Sequence, residues 1–330
     1  MSLPEFRPPF GLRSPHTQSL LNSSAIRRRF ARRRAQALLV AVQEWLLDGG
    51  DGIRLLAHYS PQNPSPRGVA VLLHGWEGSS QSNYILATGA RLYAEGWDVL
   101  RLNFRDHGAT HHLNPGIFHS CRLAEVIHAL GDMQARLEAQ RWCIAGFSLG
   151  GNFALRVALH GPAAGLSIGH ALGVCPAIDP AHVLKAMEDA PSFYEDYFVR
   201  KWERSVRAKQ ACFPDRYHYD AWYELSGLRA RTDYFATRHY DFPRLEDYFN
   251  AYSIAHDRLA ALSVPASILT AADDPVVPVQ DVRELTPHAL IEVIITERGG
   301  HCGYLKNWKL ESWAEDFIVE RFGKSGDQGS

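Results

Sequence analysis

The chain has 330 residues, 46% of them hydrophobic and 22% charged, with a formal net charge of −1. That length and apolar content favour one large domain carrying an insertion over two independent domains, and the near-zero charge excludes the clearly basic surface of a nucleic-acid-binding protein. Five cysteines without C-x-x-C spacing point to a reducing, cytoplasmic setting and no disulfide framework, and no apolar run reaches the roughly 18 residues that span a membrane.

In chain order, residues 1 to about 40 read as an N-terminal extension. Its Ile26–Arg34 stretch is crowded with arginine and only faintly resembles a twin-arginine export motif, because the following apolar segment is short and more arginines intrude. A solvated basic helix face or an interface patch is expected, with a weak contact to an anionic membrane surface through Arg27–Arg34 as the functional alternative. Val42–Leu47 and Ile53–Tyr59 read as paired strands around the turn Asp48-Gly49-Gly50-Asp51-Gly52. Gly68–Leu73 is a near-continuous apolar run, as a strand buried on both faces requires. Helix is expected over Asn83–Tyr93, strand over Trp97–Asn103, helix over Cys121–Leu137, strand over Arg141–Ala145, helix over Asn152–Leu159 and strand over His170–Val174. Such alternation implies a mostly parallel central sheet with helices on both faces, an α/β fold.

The alternation breaks over residues 179–252, read as a helical cap inserted into a core of residues 1–178 and 253–322. Sixteen aromatic residues lie between Phe193 and Phe249. Most are expected to be packing residues, with a few lining an apolar acyl pocket. Strands resume at Pro265–Ala271 and Ala289–Ile295, and the polar, Gly-rich tail 323–330 is expected to fray.

Chemistry concentrates in four places. Gly146-Phe147-Ser148-Leu149-Gly150 fits G-x-S-x-G, a strand-to-helix elbow that exposes a serine nucleophile. An acid and then a histidine should follow in the chain. Asp274 is the expected acid, directly before Pro275-Val276-Val277-Pro278, with Asp273 as runner-up and turn cap. His301 stands out among sixteen histidines by its place after the last strand, within Gly299-Gly300-His301-Cys302-Gly303. The oxyanion donors of such an elbow are the amide after the nucleophile, here Leu149, and one from the loop after the early strand, here Trp76 in His74-Gly75-Trp76-Glu77-Gly78. His74 is read as a brace for that loop, Cys143 as a core residue, and Cys302 as no nucleophile while Ser148 is in place. Asp106, His107, His111, His112 and His119 could hold zinc, but Gly108 and Pro115 make the segment a loop and its spacing is not H-E-x-x-H. No metal and no cofactor are expected.

With Ser14-Pro15-His16-Thr17-Gln18-Ser19-Leu20, His74–Ser80, Gly146–Asn152 and Ala272-Asp273-Asp274-Pro275, the chain resembles the α/β-hydrolase superfamily and, within it, the YheT-like group (type 4 AB hydrolases). Where that group carries a Phe-Arg-Gly type loop, this chain reads Asn103-Phe104-Arg105-Asp106-His107-Gly108. The resemblance implies an α/β-hydrolase fold and a serine esterase acting on short- to medium-chain or lipid-like carboxylic esters through Ser148, His301 and Asp274. Thioester or amide hydrolysis and acyl transfer on the same residues are the nearer alternatives. A non-catalytic, membrane-associated binding protein is the farther one.

Overall fold

The computed structural model describes residues 4–62, 65–137, 139 and 141–324. The chain opens with three helices that the sequence left unresolved inside its extension: α1 (Pro15–Asn22), α2 (Ala25–Arg34) and α3 (Gln36–Val40). Ser24 starts α2 by accepting the Arg27 amide at 3.1 Å, and Pro15 opens α1 at the position that lacks an amide partner anyway. β1 (Gln43–Asp48) and β2 (Arg54–Ser60) follow as the expected hairpin. Then come β3 (Val69–Leu73), α4 (Asn83–Ala94), β4 (Asp98–Leu102), α5 (Leu123–Arg136), β5 (Trp142–Phe147), α6 (Leu149–His160) and β6 (His170–Val174). The stretch after β6 is helical: α7 (Pro180–Asp189), α8 (Phe193–Cys212), α9 (Asp220–Tyr223), α10 (Gly227–His239) and α11 (Leu245–Tyr252). β7 (Ala266–Ala271), α12 (Val279–Arg283), β8 (Ile291–Thr296) and α13 (Trp313–Lys324) complete it. Gly323 and Lys324, read as the start of a frayed tail, belong to α13, and the rest of that tail lies outside the described residues.

Among the described residues eight strands form one sheet in the order β1-β2-β4-β3-β5-β6-β7-β8. β1–β2 and β2–β4 pair antiparallel, and every later pair is parallel. The two faces follow from strand periodicity. Val71, Leu73, Leu100 and Ile144 pack toward α5, α6 and the helical insert. Their neighbours Ala70, Leu72, Val99 and Ala145 pack toward α2, α3, α4 and α13. Because both faces are covered, the central strands carry no polar alternation, which is why they read as continuous apolar runs.

The arginine-rich segment is only partly a solvated face. Arg27 is fully buried and its guanidinium meets Glu315 of α13 at 2.7 Å, while Arg28, Arg29, Arg32 and Arg33 are exposed. A surface contact through Arg27–Arg34 therefore excludes Arg27 itself. No helix among the described residues is long and apolar enough to cross a membrane.

Candidate active site

Ser148 sits between β5 and α6 with φ 54° and ψ −121°, a conformation unfavourable for a side-chain-bearing residue and held by its surroundings. Its amide donates to the Val174 carbonyl of β6 at 2.9 Å. The flanking glycines are a steric necessity. A Cβ on Gly146 would lie 1.9 Å from the Gly150 carbonyl oxygen, and one on Gly150 would lie 2.4 Å from that of Leu73. The helix starts at Leu149, three residues before the apolar periodicity makes it visible.

Asp274 follows β7. Its side chain is completely buried, and its Oδ1 accepts the amides of Val276 at 2.8 Å and Val277 at 3.0 Å. The Pro-Val-Val run is thus the cradle that aims the carboxylate. His301 Nδ1 lies 2.9 Å from Asp274 Oδ2 and 3.2 Å from Oδ1, and His301 Nε2 lies 3.0 Å from Ser148 Oγ. A carboxylate only accepts, so Nδ1 carries the proton and Nε2 offers its lone pair to the serine hydroxyl. Burial presses the imidazole pKa down, but the Asp274 carboxylate and the neighbouring Cys302 sulfur together offset this and hold it well above its ordinary value. Asp273 faces away, its Oδ1 accepting the Gly300 amide at 2.9 Å.

The loop after β3 supplies the amides. Gly75 N–H donates to Tyr84 Oη at 3.0 Å, Glu77 N–H to His107 Nε2 at 3.2 Å, and Gly78 N–H to the Gly75 carbonyl at 2.9 Å. The Trp76 amide and the Leu149 amide at the start of α6 have no acceptor among the described residues, and both residues line the same cavity as Ser148. His74 is a brace, as expected. It is fully buried, its Nδ1 donates to the Gly75 carbonyl at 2.8 Å, and its Nε2 accepts the Phe104 amide at 3.2 Å. Burial pulls its pKa to about 4, so it stays neutral.

The cavity measures about 280 Å³, and the helical insert is the largest contributor to its lining, mostly with apolar side chains. Ten of the sixteen aromatics from Phe193 to Phe249 contribute to it, which corrects the expectation of a few. α8 and α10 bring their rings to one side, Trp202 packing on both Trp222 and Phe235, so packing and lining are here the same residues. The Asp106–His112 loop is engaged elsewhere rather than converging on a metal. Asp106 pairs with Lys209 of α8 at 2.8 Å, His107 holds Glu77, and His111 shares a hydrogen bond with Ser205 at 2.9 Å. The ligating atoms that do cluster, within 4.8 Å among the described residues, are those of Cys175, His301 and Cys302. Cys143 is buried in the core, and the Cys302 thiol points back to the Val174 carbonyl at 3.6 Å.

Four contributors escaped the sequence reading. Ser19 Oγ accepts the His301 amide at 2.9 Å, and Gln18 binds the Leu305 amide at 2.6 Å, so α1 carries the histidine loop. Tyr84 fixes Gly75. Glu77, at φ 53°, lines the cavity beside the Trp76 amide, and burial lifts its carboxyl to about 7. The Ser14–Leu20 motif was visible, but its partner lay 282 residues away.

The alpha/beta hydrolase fold family matches residues 69–307. Over nearly its whole length the chain is similar to two provisionally named esterases. One is slr0264 of Synechocystis sp., 24% identical and covering 95% of this chain and 90% of the relative. The other is YheT of Escherichia coli (strain K12), 25% identical and covering 96% and 92%. Among solved structures, esterase Pf2001 of Pyrococcus furiosus shares the fold with a TM-score of 0.54 at 14% identity, over 86% of this chain and 90% of that one. Est1E from Butyrivibrio proteoclasticus does so with a TM-score of 0.54 at 17% identity, over 86% and 99%. The family match takes in the elbow, both aspartates, the histidine and the whole helical insert, and the chain belongs to the alpha/beta hydrolase fold family.

Proposed function

We propose that the protein is a serine hydrolase of carboxylic esters, with Ser148 as nucleophile, His301 as base and Asp274 as its orienting acid. The observation that carries this is the continuous hydrogen-bonded line from Asp274 through His301 to Ser148 Oγ, with links of 2.9 and 3.0 Å. His301 Nε2 takes the hydroxyl proton as Ser148 Oγ attacks the ester carbonyl. The oxyanion that forms is received by the unengaged amides of Trp76 and Leu149, each worth on the order of 3 kcal/mol to the barrier. Collapse expels the alcohol, which takes the proton from His301, and leaves an acyl-serine. Water activated by His301 then hydrolyses it. Asp274 stays ionised throughout, and the sequence of steps needs no cofactor.

The esterase names of the whole-length relatives support the reaction class. The aromatic cavity supports a short- to medium-chain or lipid-like acyl group, with residues 179–252 acting as a cap. Labelling with a fluorophosphonate, wild type beside Ser148→Ala, tests the chemistry. An adduct on Ser148 that is absent from the variant is expected. A folded wild type that takes no label, or takes it at another residue, overturns the assignment. A panel of matched esters, thioesters and amides then fixes the bond cleaved, and a strong preference for thioesters or amides would replace the ester reading.

A further inference from the structure

The roll of α2 is fixed from below. Arg27 and Ala31 are completely buried, and the Arg27–Glu315 pair locks that side of the helix onto α13. What remains outward is Arg28, Arg29, Arg32 and Arg33. None of these four has a carboxylate within 4.0 Å among the described residues. Like charges three and four residues apart repel, and a chain of net charge −1 has no general excess of cations to explain the cluster. Next to it on the same helix, Ile26 and Phe30 lie one turn apart and keep 61% and 40% of their surface exposed. Exposed apolar side chains bordering unpaired cations are what an interfacial helix presents to lipid.

A second observation lies a few residues away. The cavity that holds Ser148 reaches the surface beside this helix, where exposed Leu20, Arg28, Phe193 and Tyr197 line it. Trp308, 65% exposed, stands on the segment whose Leu310 carbonyl accepts from Arg27, and tryptophan suits an interface between apolar and wet phases. We infer that α2 and this rim dock on an anionic phospholipid bilayer, setting the mouth of the cavity against the membrane from which a lipid-like ester would enter. This deepens the esterase reading by naming where its substrate resides, but docking can be measured without turnover. Interleaved apolar residues and continuity with the cavity favour a bilayer over a nucleic acid, which would need only the cations.

The test is co-sedimentation of the Ser148→Ala protein with phosphatidylcholine vesicles, pure or containing about a third phosphatidylglycerol. Binding is expected to the anionic vesicles alone and to weaken as salt rises. Arg29→Gln, Arg32→Gln and Arg33→Gln combined should lower partitioning on the order of 100-fold, since each arginine near an anionic surface contributes roughly fivefold. Phe30→Ser should weaken it as well, and both variants, made with Ser148 intact, should hydrolyse a soluble short-chain nitrophenyl ester at the wild-type rate. Equal binding to both vesicle types, unchanged binding by the triple variant, or tighter binding to duplex DNA than to anionic vesicles overturns docking. Failure of the soluble ester to react would sink the esterase reading alone, because sedimentation uses a protein that cannot turn over.

Discussion

Two aspartates stand side by side after β7, and their surroundings give them different work. Asp274 has two backbone amides and the imidazole around it, whereas Asp273 has the Gly300 amide on one oxygen and no partner on the other. On the proposed chemistry, His301 is a base only when neutral, so kcat/KM should rise with pH through an apparent pKa above the ordinary imidazole value. Asp274→Asn removes the larger of the two influences that raise it and leaves burial opposed by Cys302 alone. The apparent pKa should then fall, with kcat reduced on the order of 10³- to 10⁴-fold. An unchanged apparent pKa would show that Asp274 does not tune the base. Glu77 acts in the opposite sense. Its carboxyl ionises near pH 7, adding negative charge to the wall of the cavity in which the proposed oxyanion would form. Glu77→Gln should therefore gain over wild type above pH 7 and not below it, and a ratio of rates independent of pH would refute this. Asp274 was legible because a following Pro-Val-Val run marks its cradle. Glu77 was not, because burial and a positive φ leave no trace in residue type.

At the scale of elements, the sequence announced the strands and hid the brace. β3 and β5 are buried on both faces, so their apolar runs declare them, whereas β8, the edge strand, exposes Glu292, Val293 and Ile295 and buries only Thr296. α1 is short and half-exposed, and its purpose is a set of contacts with the far end of the chain. Gln18, fully buried, donates to the Leu12 and Leu305 carbonyls and accepts the Leu305 amide. Ser19 takes the His301 amide. Packing is close enough that a Cβ on Gly300 would sit 2.4 Å from the Pro15 carbonyl oxygen. Ser19→Ala leaves a part-buried amide unpaired, at about 1–3 kcal/mol, and loosens the loop that carries His301, the proposed base. A lower Tm together with a fall in kcat at unchanged KM is expected from steady-state kinetics on the preferred ester. A lower Tm with kcat intact would make α1 a purely structural element.

Over the whole molecule, strand–helix alternation foretold a mostly parallel sheet, and its interruption foretold helices between β6 and β7. How those helices are fastened to the core could not be read, because one of the fastenings is a buried lysine, ordinarily a surface residue. Lys209 of α8 is buried, with its ammonium 2.8 Å from Asp106 Oδ1 and within 3.2 Å of the carbonyls of His111, Asn114 and Gly116. One side chain thus ties the helical insert to the loop between β4 and α5. Lys209→Met would leave the Asp106 carboxylate without its cation and three carbonyls without their donor, a loss of about 3–5 kcal/mol and a Tm lower by ~6 °C. Burial already raises the pKa of Asp106, and Lys209 is the cation that restrains it. Without the lysine the folded pKa climbs further above its unfolded value. The folded variant then tolerates Asp106 protonated at low pH, and its deficit from wild type grows as pH rises past the wild-type folded pKa toward that of the variant. Calorimetry at pH 4 and pH 7 should therefore find the gap from wild type wider at pH 7, with Asp106→Asn in the variant background recovering part of it. A gap independent of pH, or no recovery, would mean that the insert is held by its aromatic packing and not by this ion pair.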